Sequence, residues 1–370
     1  NYIDLGKDCS TAEINPLFSD SVYIDRLSRI PAIMEMPYND IIRKFIDMYA
    51  GRLRNQVSFM LSACNFYMPI FEEALDAYGL PLELRYLPII ESALNPSAVS
   101  RAGASGLWQF MIGTGKIYGL ESNSLVDERR DPIKATWAAA RYLKEMYDIY
   151  GDWNLVIAAY NCGPGTINKA IRRANGETDY WKIYNYLPKE TRGYVPAFIA
   201  ANYVMTYYCD HNICPMETNI PASTDTVQVN KNLHFEQIAD LCNVPLDQIK
   251  SLNPQYKKQM IPGDSKPYTL RLPIDAISTF IDKQDTIYTH RADELFRNRK
   301  TVAVKDITPA TRKTTSAVAG KGNLTYYTIK SGDTLSTIAR KYGVTIKDIQ
   351  RWNGMSSTKI AAGKRLKIYK

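Results

Sequence analysis

The stretch Leu87-Pro88-Ile89-Ile90-Glu91-Ser92-Ala93-Leu94-Asn95-Pro96, followed by Gly103-Ala104-Ser105-Gly106-Leu107-Trp108-Gln109-Phe110-Met111, decides how this chain is read. Glu91 stands among Ile89, Ile90 and Leu94, near the end of an apolar run at helical spacing: Leu80, Leu84, Leu87, Ile90 and Leu94. A carboxyl with apolar neighbours loses solvation, which favours its neutral form. A neutral carboxylic acid at working pH is what a general acid requires. By itself such a glutamate reads as an ordinary amphipathic-helix residue. Gly103 and Gly106 permit tight turns, and Trp108 and Phe110 read equally well as core.

Outward from this point, residues 20 to 205 carry apolar residues at three- and four-residue steps, as in Ile41, Ile42, Phe45, Ile46 and Tyr49, so several helices must pack together. Asn95-Pro96, Gly113/Gly115, Gly151-Asp152 and Gly163-Pro164-Gly165 punctuate them. The character changes near Pro215 to Thr226. Two later segments then repeat each other at a spacing of 100 residues: Val227-Gln228-Val229 with Tyr327-Thr328-Ile329, Ile238 with Ile338, Val244 with Val344, Ile249 with Ile349 and Asn253 with Asn353. Each copy reads strand, helix, helix, strand. In the second, Asp333 is expected to cap the first helix, Gly343 to stop it, Thr345 with Asp348 to open the next and Gly354 to end it. Between the copies, Thr308 to Ala317 reads as a tether rich in Thr, Ala and Lys.

The 370 residues are enough for several modules, and 45% apolar with 23% charged residues excludes a disordered or collagenous chain. The net charge of +8 is unevenly placed. Residues 326 to 370 hold 10 Lys/Arg against 2 Asp/Glu, and residues 1 to 275 hold 27 against 31, so the body is mildly acidic and the tail basic. No apolar stretch approaches the ~18 residues that would span a bilayer. Asn1-Tyr2-Ile3-Asp4 lacks a signal pattern, which leaves a cytosolic protein or one with a targeting segment removed. Of six cysteines, Cys9, Cys64, Cys162, Cys209, Cys214 and Cys242, the pair Cys209 and Cys214 is spaced to close a small disulfide loop. Cys209, His211 and Cys214 form the sort of loop cluster that is more often incidental than ligating, and with three histidines in all, no metal and no cofactor are expected.

Four runs occur in order: Glu91-Ser92, Ser100 to Met111, Ala159-Tyr160-Asn161-Cys162-Gly163 and Glu190-Thr191-Arg192-Gly193-Tyr194-Val195. In sequence and spacing they resemble the four motifs of the lysozyme-like soluble lytic transglycosylase family. Any one of them would be weak; four co-ordered motifs are a strong signal. The resemblance implies that Glu91 is the single catalytic acid/base. It further implies that Ser100, Gln109 and Met111 hold the cleaved muramyl unit, that Tyr160 and Asn161 form the opposite wall, and that Glu190 and Tyr194 complete the site with Tyr194 near Glu91. Cys162 stands where a small non-thiol residue is expected, which puts a thiol near the cleft. The second repeat, through Tyr327-Thr328-Ile329-Lys330-Ser331-Gly332-Asp333-Thr334-Leu335, resembles the LysM module, which binds N-acetylglucosamine-containing glycans. That implies glycan contacts at Gly332, Asp333, Thr334, Leu335 and Ile360. The first copy has Asn232-Leu233-His234 where the second has Gly-Asp-Thr, so the fold carries over and its glycan contacts stay open.

The expected fold is mainly α: a lysozyme-like helical catalytic domain followed by two small strand-helix-helix-strand LysM modules of α+β type. The expected boundaries are 1–75 for a helical N-terminal extension, 76–218 for the catalytic domain, 224–274 for a degenerate LysM-like module, 275–323 for a linker and 324–370 for a LysM module. A glycosidase of the ordinary kind needs two carboxylates across the bond, yet after Glu91 none occurs until Glu121. This points to a substrate-assisted route in which the sugar's 2-acetamido group stabilises C1 and the C6 hydroxyl closes a 1,6-anhydro ring. The expected partner is peptidoglycan and not nucleic acid. The expected setting is the periplasmic cell envelope, with a monomer anchored to the outer membrane through a removed N-terminal segment. Two competitors stand beside this: a goose-type lysozyme that hydrolyses the same bond, with Asp127 or Asp131 activating water, and a non-catalytic wall-binding scaffold.

Overall fold

The computed structural model describes residues 3, 14–221, 223–297, 324–330, 332–353, 355, 357–358 and 360–369. The tether Thr308 to Ala317, Cys9 and the helix stop expected at Gly354 lie outside the described residues. The chain divides into two units, Asn1–Pro309 and Ala310–Lys370.

In the first unit the 24-residue helix Arg54–Ala77 is central, and it buries Val57, Met60, Leu61, Cys64, Met68, Phe71 and Leu75 at steps of three and four. Pro132–Tyr150 packs against it. That helix begins where the Asp131 side chain accepts from the amides of Ile133 and Lys134 and Pro132 presets the first turn; it ends at Gly151, φ 60°. Trp153–Cys162, capped by Asp152, lies between Pro132–Tyr150 and Lys189–Tyr207, and Lys189–Tyr207 packs along Asp40–Ala50. Trp108 is fully buried among these helices, with its indole N–H donated to Thr136 Oγ1 at 2.9 Å and Phe71 edge-on at 5.3 Å. It satisfies its one polar atom while removing a large apolar surface from water.

The run Leu80 to Leu94 is not one helix, as its spacing suggests. A 3-10 turn, Leu82–Tyr86, is followed by the short helix Leu87–Ser92. Pro88 has no N–H to donate and its ring clashes with a preceding helical turn, so the helix restarts with Pro88 in its first turn.

The first repeat folds as expected and then continues. Strand Thr224–Val229 pairs antiparallel with Tyr268–Pro273, with Val227 opposite Leu270, around helices Phe235–Cys242 and Leu246–Leu252. A second ladder sets Asn232, Leu233 and His234 opposite Pro262, Ile261 and Met260. The linker expected from residue 275 is corrected over its first part: Ile274–Asp282 and Gln284–Thr289 are helices that bury Ala276, Phe280 and Ile287 in the module's core. Their exposed charges mask an apolar face that the module needs covered.

In the second unit, Leu324–Thr328 pairs antiparallel with Arg365–Tyr369 around Leu335–Tyr342 and Ile346–Trp352. The cap of the first helix is Thr334, not Asp333: Thr334 and Thr337 form a capping box, while Asp333 accepts from the Lys330 amide and the Tyr327 hydroxyl, each at 2.8 Å, and closes the turn before it. His234 and Gln237 form the same box in the first repeat. The two asparagines of the repeat also act alike. Asn253 donates to the carbonyls of Ile249 and Arg271 and accepts from the Arg271 amide; Asn353 does the same with Ile349 and Lys367.

Candidate active site

Glu91 is the penultimate residue of Leu87–Ser92. The helix stops because Ala93 and Leu94 turn left-handed, with φ 51° and 58°. Ser92 Oγ lies 3.0 Å from both the Pro88 and Leu107 carbonyls, which fastens the helix end to the following glycine-rich loop. In that loop Gln109 also has positive φ, 48°, and its amide nitrogen donates to the carbonyls of Ala98 and Gly106 at 3.2 and 2.8 Å. Tyr160 donates to the Trp108 carbonyl at 2.7 Å and so pins the backbone immediately before Gln109.

Helix Leu87–Ser92, this loop, Asp40–Ala50 and Lys189–Tyr207 enclose a cavity of about 580 Å³. Glu91, Ser100, Gln109, Glu190 and Tyr194 line it. Met111, Tyr160 and Asn161 lie outside that lining: Met111 is exposed, Tyr160 packs against Tyr142 with its hydroxyl on the loop, and Asn161 Oδ1 accepts from Thr191 Oγ1 at 2.9 Å. Cys162 is half-buried and off the cavity, and burial pushes its thiol pKa up, away from reactivity.

Sequence reasoning missed the cavity's far wall. Phe45, Met48, Tyr49, Leu53, Gln56 and Met60 come from the N-terminal helices Asp40–Ala50 and Arg54–Ala77 and the turn between them. The spacing of Phe45 and Tyr49 marks an apolar face but not the partner it meets. One signal was present in Gly193: a Cβ there would sit 3.1 Å from the Phe45 ring, so the glycine lets the ring lie against the helix.

The Glu91 carboxyl is half-buried, and its pKa is raised to about 7. Burial is the main cause; the Tyr194 hydroxyl, donating to Glu91 Oε1, pulls the other way, and the like charge of Glu190 adds to the rise. Tyr194 and Tyr160 are both pushed well above the usual tyrosine range by burial and by the nearby glutamate, so both stay neutral donors. Neither aspartate proposed as a water activator lines the cavity. Asp127 is buried in a bidentate pair with Arg129, and Asp131 caps a helix.

The other sequence expectations fall elsewhere. Cys209 and Cys214 are not bridged to each other. Their turn is fixed instead by the buried His211 ring, whose nitrogens meet Asn15 Oδ1 at 2.7 Å and the Tyr203 hydroxyl at 3.2 Å, leaving Cys209 exposed. Among the described residues no group of three or more His, Cys, Asp or Glu is arranged to hold a metal, and no helix is long and apolar enough to cross a membrane. In the second repeat, Gly332 takes φ 86° and Thr334 is exposed, whereas the Leu335 side chain is buried in the core and is not available to a ligand. Ile360 packs half-buried against the same core.

Residues 68–183 match the Transglycosylase SLT domain, 223–289 match the LysM-like domain of lytic transglycosylase MltD, and 327–368 match the LysM domain. The first match contains Glu91, Ser100, Gln109, Met111, Tyr160 and Asn161 and ends before Glu190. The soluble lytic murein transglycosylase of Escherichia coli K12 is 33% identical over 124 residues, covering 32% of this chain and 19% of its own. The crystal structure of the 70 kDa soluble lytic transglycosylase from Escherichia coli aligns with TM-score 0.34 and 29% identity, over 41% of this chain and 26% of that one. The membrane-bound lytic murein transglycosylase D of Escherichia coli K12 is 32% identical over 339 residues, 90% of this chain and 70% of its own. Similarity of that extent across catalytic and repeat regions alike makes this chain a member of the membrane-bound lytic murein transglycosylase D family.

Proposed function

We propose that the protein cleaves the MurNAc-β-1,4-GlcNAc bond of peptidoglycan without water, leaving 1,6-anhydro-MurNAc ends, while its LysM module holds the cell wall. The observation that carries this is one half-buried acid, Glu91, poised near neutrality in a cavity whose other carboxylate, Glu190, is exposed and which neither Asp127 nor Asp131 lines. Protonated Glu91 gives its proton to the glycosidic oxygen as the C1–O bond breaks. The sugar's own 2-acetamido oxygen stabilises C1, and Glu190, the other carboxylate on the cavity, is assigned to substrate binding. Glu91, now a carboxylate and held by the Tyr194 hydroxyl, takes the proton of the C6 hydroxyl as that oxygen closes onto C1. The acid is regenerated and no water is consumed. A pKa of about 7 suits a group that must act first as acid and then as base.

Ser100, Gln109 and Glu190 are read as the groups that bind the muramyl unit at this cavity, with Met111, Tyr160 and Asn161 extending or supporting its walls. Gly332, Asp333, Thr334 and Ile360, with the backbone of Leu335, are read as the wall-glycan contacts of the LysM module. Tethering of this kind raises the local concentration of enzyme on its polymer. We place the protein as a monomer in the periplasm, held at the outer membrane, in keeping with the membrane-bound name of its relative.

Digestion of purified murein in heavy-oxygen water, followed by mass spectrometry, tests the reaction. Anhydro ends one water lighter than reducing ends, with no label incorporated, are expected. Labelled reducing MurNAc ends would identify a hydrolase.

A further inference from the structure

The first LysM-like module is joined to the catalytic domain by backbone and core, not by a loose contact. Val126 and Tyr256 form an antiparallel bridge. The Asp127 amide donates to the Gln255 carbonyl at 2.9 Å and the Lys257 amide to the Leu125 carbonyl at 2.8 Å. Leu125 and Val126, which belong to the catalytic domain in sequence, are buried in the module's own apolar core. Side chains seal the rim: Tyr268 donates to Glu121 Oε1 at 2.9 Å, and Lys257 Nζ to the Asn123 carbonyl at 2.8 Å.

This seam lies one residue from a second relay. Asp127 and Arg129 are both at most 5% exposed and pair through two bonds of 2.8 Å. Arg129 Nη1 then donates to the carbonyls of Gly103 and Phe110, at 2.8 and 2.9 Å. Those two carbonyls bracket the glycine-rich loop that carries Gln109 and follows Ser100. A buried guanidinium kept in place by a buried carboxylate is a stiff support, because moving either leaves a charge without its partner. Meanwhile the module's own loops are tied together. The ladder Asn232–His234 with Met260–Pro262 closes one on the other, and Gly263 approaches Lys231 so closely that a Cβ would lie 2.2 Å from its carbonyl oxygen.

We propose that the first LysM-like module is an intramolecular brace: through Leu125–Asp127 and Arg129 it sets the position of the loop that holds substrate opposite Glu91, and Asp127 and Arg129 are positioning residues. Wall binding is then left to the second module. The inference rests on the reading of Ser100 and Gln109 as substrate-binding groups. It gives a mechanical role to a repeat that carries Asn232-Leu233-His234 where the second has Gly332-Asp333-Thr334.

The test uses the full chain with Lys257→Ala combined with Tyr268→Phe, and separately Asp127→Asn. Turnover of soluble glycan strands gives kcat and KM; in a Glu91→Gln background, titration with a short murein fragment gives Kd; sedimentation with insoluble murein reports wall binding. A loosened loop should raise KM and Kd together by about tenfold, leave kcat within about twofold, and leave the pH limbs and sedimentation unchanged. The brace is overturned if KM and Kd stay at the wild-type values, with or without a fall in melting temperature. It is equally overturned if sedimentation drops while KM does not, which would make the module a glycan binder itself. Should Asp127→Asn not fold, the rim double variant decides the matter. Wild type that yields no anhydro ends would instead refute the proposed reaction, while the Kd comparison would still judge the brace.

Discussion

Across 103 residues of sequence, the Tyr194 hydroxyl donates a hydrogen bond to Glu91 Oε1, tying the end of Leu87–Ser92 to the first turns of Lys189–Tyr207. The bond stabilises the carboxylate form and so opposes the burial that raises the Glu91 pKa to about 7. Tyr194→Phe removes that opposition without opening a cavity. The pKa should move further upward, and the alkaline limb of kcat/KM should follow it to higher pH, while activity falls by roughly 10- to 100-fold as the base step loses its oriented carboxylate. A pH–rate profile with an unmoved alkaline limb would show that the tyrosine is packing alone.

Glu91→Gln should abolish turnover, by about a thousandfold or more, and should also stabilise the fold under alkaline conditions. The sign follows from the raised pKa. Below about pH 4.5 the carboxyl is protonated whether folded or unfolded; between there and about pH 7 the unfolded chain gives up its proton while the native one keeps it, so native stability declines as pH rises. Glutamine carries no such penalty. Unfolding free energies of the two proteins, from denaturant titrations, should be close at pH 4 and diverge by pH 8 in favour of the variant, by up to roughly 1–3 kcal/mol. A constant difference across that range would mean that Glu91 is solvated like a surface acid.

How far the site could be read from sequence depends on how local each signal is. Glu91 and Gln109 lie close together in the chain, and the apolar neighbours of the glutamate already announce its desolvation. The partnership with Tyr194 came only through the resemblance, because nothing within either run specifies a contact across 103 residues. The wall from Phe45, Met48 and Tyr49 was invisible for a related reason: an apolar face at helical spacing states that something is buried, not against what. The helices Ile274–Asp282 and Gln284–Thr289 read as linker in sequence because Asp282, Lys283 and Asp285 obscure the face formed by Ala276, Phe280 and Ile287. The sequence does not separate Thr334 from Asp333 as the cap because Asp333 is equally suited to capping, and only the Tyr327 hydroxyl and Lys330 amide show where its carboxylate is used.

Glu190 supplies a separate test of the single-acid mechanism, since its exposed carboxylate lines the same cavity and its charge adds to the rise in the Glu91 pKa. In Glu190→Gln that contribution disappears, so the alkaline limb of the profile should move to lower pH. KM should rise if the side chain binds the muramyl unit, and the products should remain anhydro ends. Loss of turnover as complete as in Glu91→Gln, with the pH profile flattened, would mean that Glu190 is a second catalytic carboxylate, and the reaction would then need the two-carboxylate form.

Two glycines of the loop below the cavity look alike in sequence and should differ sharply in cost. Gly103 and Gly106 both adopt φ near +87°, at 87° and 88°, where any side chain is strained by about 1–2 kcal/mol. At Gly103 a Cβ would meet nothing within 4 Å, so Gly103→Ala should cost about that much and leave a folded, active enzyme. At Gly106 the same atom would lie 1.8 Å from the Arg129 carbonyl oxygen and 3.2 Å from the Arg130 Cα, which is backbone that cannot swing aside. Gly106→Ala must therefore push the loop off the Arg129 segment, lengthening the Arg129 bonds to Gly103 and Phe110 and displacing Gln109 from the cavity it lines with Glu91. A loss of about 3 kcal/mol or more is expected, together with a collapse in kcat/KM beyond what the stability loss explains at temperatures where the variant is still folded. Denaturant unfolding and steady-state kinetics on the two alanine variants side by side would decide it: equal losses at the two positions would mean that the loop does not rest on Arg129.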